Sequence, residues 1–126
     1  MTKFRMLKTI LTLAGAGYAP LSAMPASAAS FDCTKAARPE EKAICADRVL
    51  SELDTEMGAL WFAFSRVPMA MGSNGARRDD AEQFLAARAK CGANVACLRP
   101  LYRARITTLK SNITDAMNAI SREENN

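Results

Sequence analysis

From Thr34 onward apolar residues return every three or four positions, the period of helices packed along one side, and the strict alternation of a half-buried strand is scarce. Pro39-Glu40-Glu41-Lys42 places proline in a first helical turn with acids behind it, which predicts a short helix ending near Cys45. Asp47 can cap a second helix, in which Leu50, Leu53, Met57, Leu60, Trp61 and Phe64 form the inward stripe. Three neighbours in Trp61-Phe62-Ala63-Phe64 cannot all face one core, so Phe62 is expected at a helix boundary or on the surface.

Pro68, Gly72, Ser73, Asn74 and Gly75 break the period and predict a loop over 67–74. Asp79 or Asp80 can begin the next helix, with Ala81, Phe84, Leu85 and Arg88 on one side and Gly92 as its stop. Asn94 can cap a new segment starting at Val95. A proline inside a helix removes a hydrogen bond and clashes with the preceding turn, at about 3 kcal/mol. The expectation is therefore a short turn around 95–99 and a main helix from Pro100, carrying Leu101, Tyr102, Ile106, Leu109, Ile113, Met117 and Ile120. Residues 121–126 have no apolar anchor and are expected to fray. The pattern predicts an all-α fold, a small disulfide-stapled helical bundle of three longer helices plus one or two short helices.

The first 28 residues change how the rest is read. Lys3, Arg5 and Lys8 precede an uncharged apolar run from Thr9 to Ala19, and Ala26-Ser27-Ala28 is a small-residue cleavage site. Eleven apolar residues are too few for a bilayer, which takes about 20. Residues 1–28 thus read as a signal peptide and 29–126 as a single domain, placed in the periplasm or outside the cell. Cys33 lacks the flanking small residues of a lipid-anchor site, so no membrane anchor is expected after cleavage.

Cleavage also changes the charge. The full chain is +4, but removing three lysines and arginines leaves 14 basic against 13 acidic side chains, which gives no support to nucleic-acid binding. The remaining charge is uneven, with 30–66 at −2 and 77–110 at +5. The basic stretch is either a solvated helix face or a surface that attracts an acidic partner.

The chain has no histidine, so a Ser/His/Asp set is impossible and the commonest general base and metal ligand are missing. The cysteine spacings of 12, 46 and 6 lack the close pairs of a four-cysteine zinc site. No catalytic, metal or cofactor-binding residue is assigned, and the chain does not read as an enzyme. In an oxidising compartment Cys33, Cys45, Cys91 and Cys97 become a disulfide question. Local pairing, Cys33 with Cys45 and Cys91 with Cys97, is the simplest of three connectivities, and spacing alone does not select it. Neither pair has the C-x-x-C spacing of a reactive dithiol.

Asp32-Cys33, Pro39-x-Glu41-Lys42-Ala43-Ile44-Cys45 and Leu50-Ser51-x-Leu53-Asp54 resemble the start of the LprI-like lysozyme-inhibitor family. Cys91-Gly92-x-x-x-Ala96-Cys97-Leu98 and Tyr102-x-x-Arg105-Ile106-x-x-Leu109 resemble its end. Where the family usually carries tryptophan ahead of the third cysteine, this chain has Phe84, and residues 65–77 are its own. The resemblance implies a small secreted domain that binds a protein, with a lysozyme as the partner and inhibition as the activity. It carries no inhibitory residue onto this chain. Common lysozymes are strongly basic, so only the acidic first half could supply attraction.

Two residue groups stand out as candidate sites. Asp54, Arg88 and Arg105 match family positions beside apolar stripes; the expectation is a buried polar network in which Asp54 pairs with one of the arginines, against the alternative that all three face water. Met69, Met71, Arg77 and Arg78, on the glycine-rich loop, are the candidates for partner binding, since methionine adapts to irregular surfaces and loops often carry function. The alternative function is a structural or stress-related envelope protein that binds an acidic cell-envelope component through 77–110.

Overall fold

A computed structural model describes residues 29–125; the signal peptide expected over 1–28 lies outside the described residues. A 3-10 turn, Cys33–Lys35, is followed by helices α1 (Pro39–Ala46), α2 (Arg48–Ser65), α3 (Met71–Cys91) and α4 (Val95–Glu124). No strand occurs among the described residues. The described residues form an all-α bundle of three longer helices and two short ones, with disulfides Cys33–Cys45 and Cys91–Cys97.

Capping explains the first two helices. Glu41 accepts hydrogen bonds from the backbone N–H groups of Ala37 and Arg38, each 3.0 Å, closing the start of α1. Those bonds, Arg38's first, hold the Glu41 carboxyl below its usual range. Asp47 caps α2 by accepting from Leu50 N–H at 2.9 Å, and its other oxygen meets Arg99 of α4 at 2.7 Å. The Leu50 bond, then Arg99, lowers the Asp47 pKa.

The inward stripe of α2 lies on α4, the most extensive helix pairing in the fold, and α1 packs on α2. Ile44, Leu50, Leu98, Tyr102 and Leu109 are wholly buried, and Phe84 of α3 meets the Tyr102 ring edge-on with centroids 5.3 Å apart. Burial of such side chains, at roughly 1.5–3 kcal/mol each, drives the assembly. Phe64 is buried, whereas Phe62 is 59% exposed.

Three local expectations are corrected. The segment expected as a loop is helical from Met71, eight residues before Asp79. No side chain caps this end. Instead Arg77 reaches back to α2: its Nη1 donates to the carbonyls of Phe64 at 2.6 Å and Val67 at 3.1 Å, and Nη2 donates to Asn74 Oδ1. One side chain thus ties the carbonyls at and just after the end of α2 to the first turns of α3. That tertiary tie outweighs the poor helix propensity of Gly72 and Gly75.

Pro100 does not delay α4, which runs unbroken from Val95. Asn94 Oδ1 accepts from Cys97 N–H at 3.1 Å, Leu98 is fully buried, and the Cys91–Cys97 bridge clamps the same turn. Ala96, whose carbonyl loses the donor that proline lacks, is exposed, where water can substitute. At its far end α4 extends through Glu124 rather than fraying from Ser121. Adding a residue to an existing helix costs far less than nucleating one.

Candidate functional site

Of the expected polar residues, the structure brings Asp54 and Arg88 together and leaves Arg105 apart. Asp54, on the inner face of α2, is wholly buried. Its Oδ1 accepts from the Tyr102 hydroxyl at 2.7 Å, and its Oδ2 accepts from the Ser30 backbone N–H at 2.7 Å and the Ser30 hydroxyl at 2.6 Å. Arg88 of α3 stands 4.0 Å from Oδ1 and donates toward the Tyr102 oxygen at 3.4 Å. Residues from the N-terminal segment, α2, α3 and α4 therefore converge on one carboxylate. Burial first, and the bond to Asp54 second, push the Tyr102 phenol well above its ordinary pKa.

Arg105 does not join them. It pairs with Asp80 of α3 and lies between two rings, its guanidinium carbon 5.5 Å from the centroid of Phe84 and 5.9 Å from that of Trp61. A nearer acid and two aromatic faces hold it there. Sequence reasoning missed Ser30 and Tyr102, which lie 24 and 48 residues from Asp54. It also missed Glu40, which reads as a helix-start acid but is only 2% exposed; its Oε1 has no hydrogen-bond partner, with Arg38 at 3.9 Å.

The second candidate group divides. Arg77 is committed to backbone carbonyls and Asn74, and Met69, half-buried, lies with its sulfur 3.3 Å from Arg77 Nη1. Met71 is 92% exposed, and Arg78 is exposed beside the committed Arg77. Phe62, near the end of α2, is also exposed, with the Arg66 guanidinium 3.3 Å above its ring centroid. A groove of about 330 Å³ opens at the same end, bordered by Phe64, Met69, Arg77, Asp80, Asn112 and Asp115.

The basic stretch 77–110 is largely consumed inside the fold. Arg77 binds carbonyls, Arg88 faces Asp54, Arg99 pairs with Asp47, Arg105 with Asp80 and Lys110 with Glu56. Arg78, Lys90 and Arg103 are the remaining bases of that stretch, all exposed. Among the described residues there is no group of three His, Cys, Asp or Glu side chains that could hold a metal, and no helix is long and apolar enough to cross a membrane.

The two disulfides place the chain in an oxidising compartment outside the cytosol. Comparison with protein-family models, curated proteins and solved structures found no match for this chain.

Proposed function

We propose that this is an exported binding domain, working in the periplasm or outside the cell, that engages a protein partner through the α2–α3 end. The observation that carries this reading is the placement of Phe62 and Met71. They stand on the surface of the bundle, 59% and 92% exposed. Exposed aromatic and methionine side chains are the residue types enriched where proteins meet. Asp54, closed in by three donors, has no open face on which to bind a substrate.

Inhibition of a lysozyme is the specific activity we propose, and the support for it is the resemblance of residues 31–110 to that family. By this reading the α2–α3 end blocks the sugar cleft of the enzyme. The test is a lysis assay with the mature protein at micromolar concentration. Inhibition should appear with wild type and fall at least about tenfold in the double variant Phe62→Ser, Met71→Ser, the loss of about 1.4 kcal/mol of contact. Unaltered lysis in the presence of wild-type protein would remove the lysozyme proposal. Binding to an acidic envelope component draws less support, because five of the eight bases in 77–110 already have an acid or a backbone carbonyl of this chain as partner.

A further inference from the structure

The arrangement around Asp54 includes residues that lie directly after the expected cleavage site. Ser30 gives the carboxylate two short hydrogen bonds, from its backbone nitrogen at 2.7 Å and its hydroxyl at 2.6 Å. Its neighbours Ala29 and Phe31 both pack against the hydrophobic core. Ser30 itself is exposed while Asp54 beneath it is wholly buried, so this residue is the cover that separates the carboxylate from water.

Gly58 shows that the seat is shaped for this segment. It lies one helical turn beyond Asp54 on α2, and a Cβ built there would fall 2.8 Å from the Ser30 Cβ. Glycine weakens a helix interior. Here its bare face is what lets Ser30 reach the carboxylate.

The charge at the seat is incompletely matched. Arg88 stands at 4.0 Å, the outer limit of an ion pair, and donates toward Tyr102 instead. A buried carboxylate is stabilised by a second cation in reach.

We propose that Asp54, with Tyr102 and Arg88, is the seat of the processed N-terminus, created by a signal peptidase cut between Ala28 and Ala29. Water cleaves that amide bond. Its oxygen goes to the carboxyl of Ala28, and its hydrogens go to the departing nitrogen of Ala29 and to solvent. The new α-amine takes up a proton at neutral pH, since such groups titrate near about 8. Successive backbone nitrogens are at most about 3.7 Å apart, so this ammonium lies within about 6.5 Å of the Asp54 carboxylate. The precursor has a neutral amide at that place. Processing therefore supplies the cation that completes the cluster.

The experiment compares the exported chain starting at Ala29 with the same chain acetylated at its α-amine, by thermal unfolding. Acetylation should lower the melting temperature by about 4–8 °C. The difference should vanish in Asp54→Asn. Should that variant fail to fold, Gly58→Ala serves, with every charge intact. The added methyl should displace Ser30, lower the melting temperature and abolish the acetylation effect. Equal melting of the free and acetylated chains overturns the proposal, as does a Gly58→Ala variant that melts higher, the result helix propensity alone would give. An exported chain whose intact mass begins beyond Ser30 overturns it too.

Discussion

Asp54 and Tyr102 show how a single contact ties sequence-distant residues into one stability unit. Replacing Asp54 by Ala leaves Tyr102 and Ser30 without their acceptor and Arg88 without its facing carboxylate. The expected loss is about 3–5 kcal/mol, against a total stability of about 5–15 kcal/mol for a domain of this kind. Thermal unfolding should show the melting point falling by more than about 10 °C; a shift within a degree or two would mean the cluster contributes nothing. Tyr102 adds a pH dependence. Its folded pKa is raised above the unfolded value of about 10. The folded state then holds the proton that the unfolded chain gives up. The contribution is complete below about pH 10 and is lost as pH rises beyond it. The sequence has two tyrosines, Tyr18 and Tyr102, so a chain made to start at Ala29 carries Tyr102 alone. Ultraviolet titration should show no phenolate at about pH 10.5 until the domain unfolds; half-ionisation near pH 10 in the folded protein would refute the buried placement.

At the scale of elements, the chain was legible where local chemistry and tertiary packing agree. The stripe from Leu50 to Phe64, the Asp47 cap and the stop at Gly92 all stand as the period implied. It was illegible where a distant side chain overrides propensity. Glycines 72 and 75 read as a loop because nothing near them reveals that Arg77 will bind the carbonyls of Phe64 and Val67. Pro100 read as a boundary because the bridge, the Asn94 cap and buried Leu98 act together on a turn that propensity treats alone. Asp54 could be singled out by its place on the stripe, but no periodicity connects it to Ser30, and Arg105 fits Asp54 in sequence as well as it fits Asp80. The Arg77 tie is testable. Arg77→Ala should cost about 1–2 kcal/mol and speed amide exchange over residues 71–77 while leaving 80–90 protected. Unchanged protection in the first turns of α3 would show that they hold without the arginine.

For the whole molecule, the accounting of charge differs from what the sequence displays. A stretch that is +5 on paper supplies ion pairs to α2 and α3, so half of its eight bases already face an acid of the fold. An acidic polymer should therefore bind weakly. A chain made to start at Ala29 should elute from a polyacidic column below about 0.15 M salt, where charges are screened beyond about 8 Å. Retention above that concentration would restore the envelope-binding alternative. The lysis assay addresses the other half of the question, because contact through Phe62 and Met71 depends on apolar fit and is less sensitive to salt.

Both covalent bridges close short loops, Cys33 to Cys45 and Cys91 to Cys97, and neither joins α2 to α4. The principal interface of the domain is thus a purely non-covalent seam between an N-terminal piece and a C-terminal piece, each with its own staple. A protease nick after Arg66 should yield two fragments that stay together in native buffer and separate in denaturant without any reductant. The same seam makes the domain divisible: its halves, made as separate polypeptides, are natural candidates for reassembly by mixing.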